Sequence, residues 1–110
     1  MTELRLYVFQ RVTAALMLPL ILAHLFMIFY ATQNGLTAAE ILGRTRGSVG
    51  WAVFYGLFVV LAAVHGGIGV RSVLREWTGL SRTMIDALAG MFTLVLMVLG
   101  ARAVYAVVMA

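Results

Sequence analysis

The sequence predicts an all-α integral membrane protein, a bundle of three transmembrane helices. Of its 110 residues, 64% are hydrophobic, and the mean hydropathy is +1.05. This is far too apolar for a soluble domain of the same size. Three apolar runs are each long enough to cross a hydrocarbon core of ~30 Å at ~1.5 Å per residue. We therefore expect a single transmembrane domain over residues 1–110, with helices at about 11–32, 50–74 and 84–108.

The first predicted helix covers the uncharged run from Val12 to Thr32. The run is long and no small-residue cleavage site follows it, so it is expected to be a membrane span and not a signal peptide. Pro19 lies inside it and cannot donate to the carbonyl of Ala15, which predicts a kink or a loosened turn.

The second helix covers residues 47–70, and the third covers residues 87–101 with an apolar continuation past Arg102. The second is rich in small residues, which permit close approach of a neighbouring helix and equally of a flat macrocycle. These are Gly56, Ala62, Ala63, Gly66, Gly67 and Gly69. Residues 33–46 and 72–86 are expected to be loops. No soluble domain is then left over that could hold a substrate site.

Arginine accounts for all eight basic residues, and the net charge is +4. Five arginines fall on the side of the N-terminus and three on the other, which predicts a cytoplasmic N-terminus and an external C-terminus. The two groups are Arg5, Arg11, Arg71, Arg75 and Arg82, and Arg44, Arg46 and Arg102. Because these residues flank the spans, the charge indicates membrane topology and contact with lipid, and no binding of nucleic acid.

The two histidines, His24 and His65, both lie inside apolar runs. A histidine at membrane depth is costly and marks a functional site by default, and neutral imidazole is a common ligand of haem iron. The chain has no cysteine, which excludes in-chain iron–sulfur clusters and covalently attached haem, so any haem would be b-type.

The depths of the histidines argue against one shared haem. From the inner ends of their helices, His24 lies ~18 Å deep and His65 ~9 Å deep. Two axial ligands of one iron must face each other at nearly one level. Each histidine would therefore need a partner ligand from another subunit. For His24, a structural hydrogen bond across helices is an equally good interpretation.

Two segments carry a resemblance to a known family. Gln10-Arg11-Val12-Thr13 resembles the Arg-x-Thr signature of succinate dehydrogenase and fumarate reductase membrane anchors. His65-x3-Gly69-x-Arg71-x4-Glu76 resembles their second-helix signature, in which an acid follows the histidine by eleven residues. The resemblance extends from about residue 7 to residue 77.

The resemblance implies roles for individual residues. His65 would be the axial ligand of haem b, and Arg11 would lie close to quinone and to a haem propionate. Tyr7 stands roughly where some members carry a quinone-binding serine, and Glu76 where many have aspartate. Trp77 replaces the tyrosine that hydrogen-bonds quinone in many members. Its single N–H cannot act as a phenol does, so the partner subunit would supply that contact.

Arg11 and Arg71 have a second interpretation as interfacial anchors that extend toward lipid phosphate. Their functional alternative is to neutralise haem propionates or to polarise a quinone carbonyl. For Arg71 considered alone, the anchor is the simpler interpretation.

The resemblance also implies a complex and a membrane. The partners would be a second hydrophobic anchor subunit, an iron–sulfur subunit and a flavoprotein, with the chain itself inactive alone. A bacterial cytoplasmic (inner) membrane is the expected location. Histidines in both helices favour two haems over one, which suits a low-potential quinone such as menaquinone. The alternatives are a haem-free structural or transport subunit, and the haem b subunit of another quinone-linked oxidoreductase.

Overall fold

The computed structural model describes residues 2–109, which form four helices and no strand. The helices are α1 (Glu3–Asn34), α2 (Ala38–Thr45), α3 (Val49–Trp77) and α4 (Arg82–Val108). In this part of the chain α1, α3 and α4 are long and apolar enough to cross a membrane. The predicted all-α fold with three membrane spans is confirmed.

Each helix begins after a hydroxyl-bearing residue, which accepts a hydrogen bond from the backbone N–H three residues later. Such N-caps satisfy donors that the first helical turn cannot satisfy internally. The caps are Thr2, Thr37, Ser48 and Ser81. For this reason α1 begins at Glu3 and not near residue 11. The apolar pattern predicted the membrane crossing, and the caps decide where the polar turns outside it begin.

The predicted loops are too long. Residues 33–46 contain the short helix α2, in which Thr37 and Glu40 form a reciprocal capping box. The loop predicted over residues 72–86 is wrong for most of its length, because α3 continues to Trp77 and α4 begins at Arg82. Polar residues can continue a membrane helix beyond the hydrocarbon core. The pattern of charges alone does not predict where such a continuation ends.

Helix α1 runs through Pro19 as one continuous helix. Proline is tolerated in membrane helices, since neighbouring helices and local adjustments satisfy the freed carbonyl.

Helix α3 is central, with α1 on one side and α4 on the other. Two glycines allow its close crossing with α4. A Cβ added at Gly67 would overlap the hydroxyl of Thr93, and one added at Gly100 would overlap the side chain of Val59. Helix–helix association in membranes depends on such close packing of small residues. The sequence-based interpretation of Gly67 as a packing residue agrees with this contact.

Helix α2 packs against α4. The hydroxyl of Thr45 donates to the carbonyl of Val107 at 2.5 Å, and the N–H of Gly47 donates to that of Val108 at 2.8 Å. These donors satisfy carbonyls that the last turn of α4 cannot satisfy internally. At the opposite end of the bundle α1 and α4 begin and α3 ends. We call it the charged end, because it holds Glu3, Arg71, Arg75 and Asp86 together with Glu76 and Arg82.

Candidate functional site

His65 contacts α1 through a polar side chain. Its Nδ1 lies 3.2 Å from the hydroxyl oxygen of Thr13, and the two residues are 52 positions apart in the chain. Thr13 is only 5% exposed, whereas His65 is half-buried. The contact holds the Nδ1 edge of the imidazole against α1. Among the described residues, Thr13 is the hydrogen-bond partner of His65. Because Thr13 engages Nδ1, the other ring nitrogen, Nε2, is available to a ligand.

The arrangement around His65 fits a ligand of haem iron. Within residues 2–109 no group of three or more histidine, aspartate or glutamate side chains could hold a metal ion by itself. Haem iron needs only an axial imidazole from each side of the ring. A half-buried histidine with one nitrogen oriented by a neighbour and the other available satisfies that requirement.

His24 lies in a different, apolar environment. Its ring meets those of Phe58 and Tyr55 edge-on, with centroids 5.2 and 6.1 Å away. It lines two cavities, of about 330 Å³ and 220 Å³. Thr13, the neighbour of His65, is eleven residues before His24 on α1, which is about 16 Å along the axis.

This separation exceeds the ~9 Å that the sequence indicated. The sequence estimate treated the ends of two apolar runs as level, whereas packing decides the true offset between helices. The two imidazoles of one chain therefore lie too far apart to bind opposite faces of one iron.

A polar groove of about 370 Å³ opens at the charged end between α1 and α3. It brings together three of the predicted site residues, namely Tyr7, Arg71 and Glu76. Gln10 also lines it, and its Oε1 is buried without a hydrogen-bond partner among the described residues. An unsatisfied buried acceptor is costly in a protein interior. The groove thus combines a phenol, an amide and a carboxyl group beside apolar walls.

Arg11 and Trp77 are not among the residues that line this groove. The guanidinium of Arg11 lies 5.6 Å from the ring centroid of Tyr7, a cation–π geometry that holds Arg11 beside a residue of the groove. Trp77 is 81% exposed. Within this chain the structure does not bring the Trp77 indole to the other predicted quinone contacts.

Arg71 is the centre of an ion-pair cluster. Its Nη2 and Nη1 donate to the carboxylate of Glu3 at 2.8 and 3.3 Å, and its Nε donates to Asp86 at 2.8 Å. Arg75 joins the same carboxylate of Glu3 at 2.6 Å. Arg71 is 9% exposed, so it does not extend toward lipid phosphate. The anchor interpretation of Arg71 is corrected, because its donors are engaged with two other helices.

Sequence reasoning missed four polar residues of these sites, which are Glu3, Gln10, Thr13 and Asp86. Gln10 and Thr13 stand in the motif that carries the resemblance, yet only the packing of α1 on α3 shows which of them meets His65. Glu3 and Asp86 are two of four acidic residues in a chain with eight arginines. Because the acidic residues are few beside eight arginines, each could have been expected to pair with an arginine.

Comparison with known proteins gives one informative result. Neither the curated proteins nor the solved structures include one that matches the chain. A family model described as the succinate dehydrogenase/fumarate reductase transmembrane subunit matches residues 2–106. The match covers α1 and α3 in full and α4 as far as Ala106, together with His65, Thr13 and the charged end. The chain therefore belongs to the succinate dehydrogenase/fumarate reductase transmembrane subunit family.

Proposed function

We propose that this chain binds haem b and contributes to the quinone site as an anchor subunit of a succinate:quinone oxidoreductase. The observation that carries the proposal is the environment of His65. In a family of oxidoreductase membrane subunits, this chain holds a half-buried imidazole whose Nδ1 is engaged by Thr13. Such an arrangement suits an axial ligand better than a packing residue, because one ring nitrogen stays available.

The haem proposed at His65 would be shared with a second hydrophobic subunit. His65 of this chain would hold the iron on one side, and a residue of the partner would hold it on the other. Haem b, when bound, supplies a one-electron carrier between the iron–sulfur subunit and quinone. The chain itself contributes the imidazole and the small residues of α3 beside it. Arg11, which lies beside Tyr7, would neutralise a propionate.

The second proposed ligand is His24, for a second haem at the opposite end of the bundle. Its ring lines two cavities with largely apolar walls, one of them shared with α4. The axial separation of about 16 Å from the level of Thr13 requires a separate iron. Two haems at different depths would carry electrons across the membrane, which suits a low-potential quinone such as menaquinone.

The groove at the charged end is the proposed quinone contact of this chain. Reduction of a quinone to a quinol takes up two electrons and two protons, so the site needs donors at the carbonyls and a route to water. The hydroxyl of Tyr7 and the amide of Gln10 can donate, and Glu76 can exchange protons with solvent. Arg71 is committed to Glu3 and Asp86, so its part is to hold the groove together. Trp77 would reach quinone only where the partner subunit meets this chain.

Succinate chemistry is assigned to the partners. A flavoprotein would oxidise succinate or reduce fumarate, and an iron–sulfur subunit would carry the electrons to the membrane. The N-terminus and the charged end would face the cytoplasm of a bacterial cell, in its inner membrane. The arginine bias supports this orientation, in which the groove would lie beside the iron–sulfur subunit.

Haem content of the detergent-purified complex tests the proposal. Pyridine haemochrome and flavin are measured in the wild type, His65→Ala and His24→Ala, so that haem is counted per flavoprotein. We expect two haems in the wild type and loss of one in each variant. Tyr105→Phe, an exposed residue on α4 that lines neither of the two His24 cavities, serves as the matched control.

The other outcomes are equally informative. Loss of haem in His65→Ala alone means one haem and a structural role for His24. A wild-type complex that contains flavin and no haem contradicts the haem assignment and leaves a haem-free anchor. Purification of the chain without any flavin or iron–sulfur protein contradicts the whole proposal.

A further inference from the structure

We propose that Thr13 is a positioning residue that holds the His65 proton on Nδ1 and so presents the Nε2 lone pair to haem iron. The inference rests on the proposed haem ligation by His65, and it assigns a role to a residue of the neighbouring helix. Neutral imidazole has two tautomers, and a ligand nitrogen must be the unprotonated one. A contact that holds the proton on the opposite nitrogen therefore favours ligation.

The hydrogen bonds of Thr13 determine the direction of its contact with His65. A threonine hydroxyl carries a single hydrogen. In α1 it points to the helix backbone, since Oγ1 lies 2.8 Å from the carbonyl of Phe9 and 3.1 Å from that of Gln10. With its hydrogen used there, the oxygen can only accept from His65. The Nδ1 of His65 must then donate across the 3.2 Å separation.

The burial of Thr13 strengthens the preference for the tautomer of His65 that carries its proton on Nδ1. Thr13 is 5% exposed, so water does not compete well for its hydroxyl. In the alternative tautomer both groups would present lone pairs across the same 3.2 Å, unless the hydroxyl gave up its backbone bonds. Two facing acceptors in a buried site are unfavourable. The contact therefore selects the tautomer, orients the ring, and makes Nε2 a stronger electron donor.

The test compares variants of Thr13 in the assembled, purified complex. Thr13→Val keeps the shape and removes the acceptor, whereas Thr13→Ser keeps the hydroxyl. The readouts are the rate of haem transfer to apomyoglobin, the haem midpoint potential and the EPR g values. We expect Thr13→Val to lose haem about tenfold faster, the lower end of the range for loss of an oriented ligand. Its potential should rise, because a weaker donor stabilises ferric iron less, and Thr13→Ser should resemble the wild type.

A matched control comes from the same helix. The exposed Thr32 donates in the same way to its own backbone, at 2.7 Å from the carbonyl of Phe29, and it is far from His65. Thr32→Val should change none of the three readouts. If Thr13→Val does not assemble, Thr13→Ser and Thr13→Cys are compared, because sulfur is a much weaker acceptor in a side chain of similar shape. Faster haem loss from the cysteine variant is then expected.

The results that overturn the inference are distinct from those that overturn haem ligation. Equal haem loss, potential and g values in Thr13→Val and the wild type show that His65 is oriented without Thr13. Equal defects in the serine and valine variants, or equal haem loss from the serine and cysteine variants, also reject a role for the hydroxyl. Full haem content in His65→Ala, or none in the wild type, rejects the ligation and the inference together.

Discussion

Arg71 on α3 donates from both terminal nitrogens to the carboxylate of Glu3, which lies 68 positions earlier at the start of α1. Its Nε meets Asp86 at the start of α4 at 2.8 Å. One planar guanidinium thus connects three membrane-spanning helices at the charged end. Arginine suits this position because its donors form a rigid fork, which a lysine cannot reproduce.

Replacement of Arg71 should loosen the charged end. We expect Arg71→Gln to lower both the unfolding temperature and the yield of assembled complex, because two carboxylates lose a shared, buried partner. Arg71→Lys should be intermediate, since one ammonium cannot bond both carboxylates in the same way. Thermal unfolding in detergent and flavin content after purification are the measurements. Arg82→Gln, an exposed arginine nearby, is the control. An equal effect there would contradict the role of Arg71 in connecting the three helices.

The crossing of α3 and α4 should be intolerant of a single methyl group. Gly67→Ala is expected to destabilise the bundle by about 1–3 kcal/mol, because its Cβ would overlap the hydroxyl of Thr93. Gly56→Ala has no atom within 4 Å of the added carbon and should be nearly neutral. The double variant Gly67→Ala/Thr93→Ala should recover most of the loss. The measurement is thermal unfolding of the wild type and the three variants. If the double variant were no more stable than Gly67→Ala, the contact with Thr93 would not be the cause of the destabilisation.

Substitutions in the groove at the charged end should alter the kinetics with quinone. Tyr7→Phe and Glu76→Gln should raise KM for quinone about five- to tenfold, the equivalent of one lost hydrogen bond of about 1–1.4 kcal/mol. Haem content and succinate oxidation with a water-soluble acceptor should be unchanged, because those steps do not use the groove. Tyr105→Phe is the matched control at the other end of α4. An unchanged KM in both groove variants would place quinone elsewhere in the complex.

The start of α2 should respond to acid. The backbone N–H and the hydroxyl of Thr37 lie 3.0 and 2.8 Å from Oε2 of Glu40. These bonds lower the pKa of Glu40 below its ordinary value. A carboxyl group with a depressed pKa stabilises the fold above its unfolded pKa, and the stabilisation is lost as pH falls through the folded value.

Amide exchange measures this effect. At neutral pH, Glu40→Gln should reduce protection of the first turn of α2 relative to the wild type. The difference should shrink in acid, once the wild-type carboxyl is protonated. Amides of α3 in the same samples are the internal control. A difference that is independent of pH would mean that the charge of Glu40 does not stabilise the cap.

Much of the fold could be predicted from the sequence, because a bilayer imposes a length and an apolar composition on each span. The three spans follow from those constraints. The choice of His65 as a candidate site residue follows from the spacing of one motif. The first residues of the helices did not follow, since single hydroxyl caps such as Thr2 and Ser81 decide them. Helix α2 was also missed, because its eight residues are too short to show a periodic pattern.

By itself the sequence determined the membrane class, the family, the b-type character of any haem and a set of candidate site residues. Only the tertiary structure decided which of them meet. The register of α1 on α3 pairs Thr13 with His65, removes Trp77 from the groove, and turns Arg71 from a lipid anchor into an ion-pair centre. The reason is physical. Hydropathy depends on the composition of one segment, whereas a hydrogen bond across helices depends on rotation and register, which side-chain packing alone specifies.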